Sequence, residues 1–171
     1  MPNILSKLAS LIMAVLLIVI MMYDRTNYIE RYVSNQVNVS ANRFQKEARR
    51  KGYIDQKSYD QLLSELNNTG KLYDIKMLHR DIKYYPVDKS IDENKYKIET
   101  FRHNEKEILN KIYNEKKNYL MRYGDDFQIT INEKGESANS ILWKALSGDK
   151  ADKGDNNIFA SFGGAVENEI N

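Results

Sequence analysis

Residues Ile4 to Tyr23 read ILSKLASLIMAVLLIVIMMY, and from Leu8 through Tyr23 the run carries no charge. About 20 apolar residues at a rise of about 1.5 Å per residue cross a bilayer core of about 30 Å. No other stretch of the chain approaches this hydrophobicity. The segment ends Ile20-Met21-Met22-Tyr23-Asp24, with bulky side chains where a signal peptidase requires small ones. It is therefore expected to be kept as an uncleaved anchor in contact with the lipid bilayer from Ile4 to Tyr23. Lys7 precedes it and Arg25 and Arg31 follow, so the basic residues bias orientation weakly. A short segment ahead of a first helix usually stays inside, which puts the C-terminal part outside.

Working outward, the apolar pattern changes period but does not stop. Ile29, Val33, Val37, Ala41, Phe44 and Ala48 recur at steps of three or four, one stripe along a helix. No glycine or proline interrupts residues 4 to 51, and Arg49-Arg50-Lys51 before Gly52 gives cations on a last turn followed by a C′ glycine. One continuous helix of roughly 70 Å is expected, half apolar throughout and half amphipathic. Its stripe either packs beneath the chain's own sheet or meets neighbouring copies.

The rest of the chain has one domain's worth of residues, with 26 Lys and Arg against 24 Asp and Glu, net +2. So small a balance does not indicate nucleic acid as a partner. There is no cysteine, which removes disulfides, thiolate zinc sites and cysteine chemistry. An external domain without cysteine is ordinary in a Gram-positive bacterium.

Asp55 caps a helix near 56–68 that buries Tyr59, Leu62, Leu63 and Leu66, ended by Thr69-Gly70. Lys71 to Tyr85 reads as a strand, with a phase change near Leu78 to Arg80 that suggests a bulge. Pro86 closes it, 87–94 is a polar loop, and Tyr96, Ile98 and Thr100 alternate in a second strand. Asn104 with Glu107 forms a capping-box-like start to a helix over 104–122, with Ile108, Leu109, Ile112, Tyr113 and Leu120 on one face and Gly124 as its stop. Phe127, Ile129 and Ile131 alternate with polar residues as a strand. Ser137 caps a short helix through Leu146, a charged loop covers 149–157, and Ile158 to Phe162 is a last strand. The fold expected is α+β: a long transmembrane and amphipathic N-terminal helix with a small head of antiparallel sheet and two or three helices. Its parts are an anchor over 1–23, an amphipathic continuation over 24–52 and an extracytoplasmic head over 53–171.

Catalytic and metal motifs are not expected. His79 and His103 are the two histidines and lie in no zinc-binding spacing; His79 reads as a packing or hydrogen-bonding residue on a strand. Asp149, Asp152 and Asp155 miss the EF-hand pattern. Gly163-Gly164 is not followed by Lys-Ser/Thr and reads as a turn or a close backbone contact. No G-x-S-x-G or Ser-x-x-Lys supports a nucleophile. Arg43, Lys46 and Arg50 share a helix face, either solvated or facing a partner. No cofactor, metal site or enzymatic activity is expected.

An apolar helix that continues into a head resembles the type IV pilin. The helix from Ser58-Tyr59-Asp60 to Leu66, then Thr69-Gly70, Leu72-Tyr73-Asp74-Ile75, His79 and Pro86, is similar to pilin-like proteins of Tad-type pilus clusters in Gram-positive bacteria. Phe127-Gln128-Ile129-Thr130-Ile131 and Phe162-Gly163-Gly164 resemble that group's later segments. The resemblance implies a membrane-anchored structural or assembly component of a pilus or secretion machine, meeting other such proteins through its N-terminal helix. Processed pilins carry a glutamate at the fifth position of the apolar run; here none precedes Glu30. A minor or accessory component is thus expected rather than a major pilin. The alternative is a monomeric, signal-anchored binding or sensor domain.

Overall fold

The computed structural model describes residues 4–86, 96–136, 140, 141, 144, 147 and 158–169. The fold is α+β. Helix α1 runs unbroken over Ile4–Lys51, as the absence of Gly and Pro predicts. It is the one helix among the described residues long and apolar enough to cross a membrane, and its most apolar window has no buried residue. That is compatible with a membrane anchor or a signal sequence. By contact density the chain forms two units, one of residues 1–35 with 135–155, the other of residues 36–134 with 156–171.

The second unit holds the sheet. Strands β2 (Leu72–Pro86), β3 (Tyr96–Asn104), β5 (Asp126–Lys134) and β6 (Ile158–Ala165) form an antiparallel sheet in the order β3-β2-β5-β6. The short strands β1 (Tyr53–Ile54) and β4 (Tyr119–Leu120) pair separately. Helix α2 covers Gln56–Asn67, opened by Asp55, whose carboxylate accepts the Ser58 N–H at 2.7 Å.

The core lies on one face of the sheet. Opposed pairs Ile75–Ile131, Met77–Ile129 and His79–Phe127 are all buried. Against them lies the stripe of α1: Val37, Ala41, Phe44 and Ala48 are buried, Val37 completely. Phe44 meets Phe127 and Tyr59 edge-to-face, with ring centroids 6.3 and 6.1 Å apart, a geometry that adds about 0.5–1.5 kcal/mol per pair beyond burial. The stripe thus packs beneath the chain's own sheet. Ile29, its first expected member, is exposed.

The end of α1 is locked to the last strand. Arg49 donates from Nε to the Ala165 carbonyl at 2.5 Å and its guanidinium pairs with Glu167 at 2.6 Å. Gly52 takes φ +73°, and a Cβ there would lie 2.3 Å from the Asn168 carbonyl oxygen. Glycine is required both by the left-handed turn and by the packed segment above it.

Four expectations are corrected. Strand β2 has no bulge near residue 79: its register with β3 and β5 is continuous, and Ile75, Met77 and His79 all face inward. The phase had been lost because the inward position is filled by a histidine. The irregularity lies instead between β5 and β6, at Ile131/Asn132. The helix expected over 104–122 is short: α3 spans Glu105–Leu109, passes into a π-helical turn over Asn110–Asn114, and ends there. Leu120 belongs to a strand, not to a helix face. Asn104 is the N-cap but makes no side-chain capping bond, because Glu107 bonds His103 instead. Gly163-Gly164 is no turn; both continue β6, and a Cβ at Gly164 would approach the Arg49 guanidinium to 2.9 Å, which bears out the close-contact reading. The Asp149, Asp152 and Asp155 loop and most of the helix expected after Ser137 lie outside the described residues.

Candidate functional site

The polar residues that depart from the simple core pattern converge where β2, β3 and the segment after α3 meet. Antiparallel register sets His79 opposite His103, and their rings stack with centroids 5.5 Å apart at 22°. His79 is 3% exposed and engaged at both ring nitrogens: Nε2 lies 2.9 Å from Asp125 Oδ2 and Nδ1 lies 2.8 Å from the Tyr119 hydroxyl.

Chemistry fixes the direction of this chain of bonds. A carboxylate only accepts, so Nε2–H donates to Asp125, Nδ1 is the unprotonated nitrogen, and Tyr119 O–H donates to it. The titration shifts agree. Burial depresses the His79 pKa below its ordinary 6.5, outweighing the neighbouring carboxylates, so the ring is neutral at pH 7. Burial, with Glu107, Asp125 and Asp81 nearby, raises the Tyr119 pKa, so its phenol keeps the proton it donates.

Asp125 is the hub. It is 2% exposed, and besides His79 its oxygens accept the backbone N–H of Arg122 at 2.8 Å and of Ile82 at 3.2 Å. Gly124, at φ +87°, turns the chain so that the Asp125 side chain reaches back to β2. A buried polar group with every site occupied is a fixing device; here it ties the 119–125 segment to the sheet.

Beside this network opens a cleft of about 700 Å³. Its floor includes His79, Asp125 and Tyr119, already saturated with one another, and His103, whose Nδ1 lies 2.7 Å from Glu107. Its rim carries Lys111, Lys116, Lys117 and Arg122. Lys111 is paired with Glu115 at 2.6 Å, whereas no ion pair engages Lys116, Lys117 or Arg122 among the described residues. Asp81 also lines the cleft; one oxygen lies 3.3 Å from Lys83 and the other is buried without a hydrogen-bond partner. Among the described residues no three His, Cys, Asp or Glu side chains are placed to hold a metal ion.

A second concavity of about 660 Å³ runs along α1, beside Val39, Lys46 and Arg50. Arg43 of the same face is tied to Glu65 of α2, so the basic stripe is partly neutralised and Lys46 and Arg50 stay exposed.

The reading of His79 as a hydrogen-bonding strand residue agrees with its place here. Its partners were not foreseeable: Tyr119 and Asp125 stand 40 and 46 residues away in a stretch that reads as helix and helix stop. No protein-family model matches the chain, and no curated protein or solved structure is detectably similar to it.

Proposed function

We propose that this protein is a single-pass membrane-anchored structural component, with its sheet-bearing unit outside the cytoplasm, that works by helix packing rather than catalysis. The observation that carries the reading is the division of labour along α1. Leu8 to Tyr23 is apolar and exposed, while Val37 to Ala48 in the same helix is built into the head's core. A helix with apolar residues on every side requires lipid or other helices around it. The resemblance to pilin-like accessory proteins gives that requirement an occupant, neighbouring subunits of a pilus or secretion machine, and the exposed Val39, Lys46 and Arg50 face is a second surface for them.

Cysteines at Val15 and Val39, which are 53% and 56% exposed, test the packing in native membranes. Disulfide or bis-maleimide adducts between copies or with neighbouring proteins are expected; persistent monomers at both positions sink the assembly reading. Val15→Glu tests the anchor. A carboxylate near a helix centre costs about 2.5–3.5 kcal/mol of insertion, so the variant should leave the membrane fraction. Retention there counts against anchoring by this helix.

The cleft beside His103 favours a second reading, a signal-anchored binding domain acting as a monomer, which predicts monomers in the same cross-linking experiment.

A further inference from the structure

The cleft between β2, β3 and the segment after α3 carries an inference independent of how the protein is anchored. We propose that it is a binding site for a phosphate group, held by Lys116, Lys117 and Arg122 at the rim with His103 beneath.

Four observations converge on this. The cleft is concave and roomy, about 700 Å³, within the size range of small-molecule sites. Its cations outnumber its acids: Lys111, Lys116, Lys117 and Arg122 stand against Asp81 and Asp125, and Asp125 spends its oxygens on His79 and two backbone N–H groups. Three of those cations have no ion-pair partner among the described residues, although most other lysines and arginines of the head are paired. The fourth observation is conformational. Lys116, at φ 52°, is the one non-glycine residue with positive φ among those described. A lysine in the left-handed region is strained, and the geometry that holds it there is explicit: the Lys117 N–H reaches back to the Lys111 carbonyl at 3.1 Å. Glycine or asparagine would satisfy this turn with less strain. Two adjacent lysines are kept on it, over a cleft whose other polar groups are committed to one another.

The donor set selects phosphate over carboxylate. A bidentate carboxylate site is built around a planar guanidinium fork, whereas lysine ammonium groups act as point charges suited to a tetrahedral anion. With His79 sealed by its two bonds, the ring left to report the ligand is His103.

The test uses the full chain in dodecyl maltoside micelles, which contain no phosphate. Because the protein has two histidines, its imidazole NMR resonances give a two-signal readout. Inorganic phosphate titrated at constant ionic strength and fixed pH should shift the His103 ring signal saturably and leave His79 nearly unmoved. Lys116→Gln combined with Lys117→Gln should weaken the response by about tenfold or more, while Lys46→Gln combined with Arg50→Gln, on the basic face of α1, should change it by less than about twofold. Lys116→Gly relieves the strained turn and removes one cation; it should weaken binding while the His79 signal reports an intact fold. In phosphatidylglycerol nanodiscs, a His103 shift present before phosphate is added identifies a lipid headgroup as the source, and its absence identifies a soluble phosphate. No saturable shift up to about 50 mM phosphate, an equal response to acetate, or equal losses in the two double variants would each overturn the proposal, the last by showing only diffuse attraction to surface charge.

Discussion

Replacing Asp125 by alanine removes the acceptor of three hydrogen bonds at once, from His79 Nε2, the Arg122 N–H and the Ile82 N–H. Hydrogen bonds to a charged acceptor contribute about 1.5–3 kcal/mol each, and an orphaned buried donor forfeits its full desolvation penalty. Arg122 and Ile82 lie partly buried, so water recovers some of their loss. His79 does not have that option, because its ring is closed in by His103 and Tyr119. A loss of roughly 3–5 kcal/mol follows, a large share of the 5–15 kcal/mol that holds a typical domain together. Amide hydrogen exchange of the full chain measures it, read at Ile75 and Ile131, which face each other in the middle of the central strand pair. Both amides should lose protection by the same free energy, since opening there requires the whole sheet to open. A loss under about 1 kcal/mol, well below what one such bond supplies, would mean that Asp125 is not the hub described.

Acidification should act on the same network. The His79 pKa is depressed by burial, so its contribution to stability is complete above about 6.5 and is lost as pH falls through the lower folded value. Unfolding free energy should therefore decline between about pH 7 and 5, and His79→Gln should remove that component of the slope; an unchanged slope refutes the assignment. Gly52→Ala forces a side chain into a left-handed turn and against the Asn168 carbonyl. It should cost upward of about 1–2 kcal/mol and raise exchange at Met121, whose N–H bonds the Gly52 carbonyl at 2.8 Å. A neutral result would show that the packed segment gives way freely.

Much of this architecture was legible because period and punctuation agreed. Helix α1, the Asp55 cap and the Phe127-Ile129-Ile131 strand are each carried by local signals, with apolar spacing matched to the element and glycine or aspartate at its end. The polar cluster was illegible for the opposite reason. His79 fills a core-facing strand position with a polar side chain, which mimics a break in alternation. Residues 115–118, Glu-Lys-Lys-Asn, contain no glycine or proline, so nothing local announces that the helix stops. What stops it is tertiary: Tyr53–Leu120 and Ile54–Tyr119 pairing and the Tyr119–His79 bond hold 119–120 extended, and Lys116 bends to allow it. Asp125 beside Gly124 reads as an ordinary turn residue until the chain has folded. Long-range hydrogen bonds leave no periodicity to read.

The clamp between Arg49 and Ala165 also has a temporal meaning. These groups are 116 residues apart, so the stripe of α1 that they help to seat is synthesised long before the strand that completes its cover. Throughout that interval Val37, Phe44 and Ala48 present an apolar ridge with nothing beyond α2 to shield it. The vulnerable period in the life of this molecule is therefore its birth, and a chaperone working beside the growing chain would find its natural grip on the second half of α1, the surface the finished protein hides.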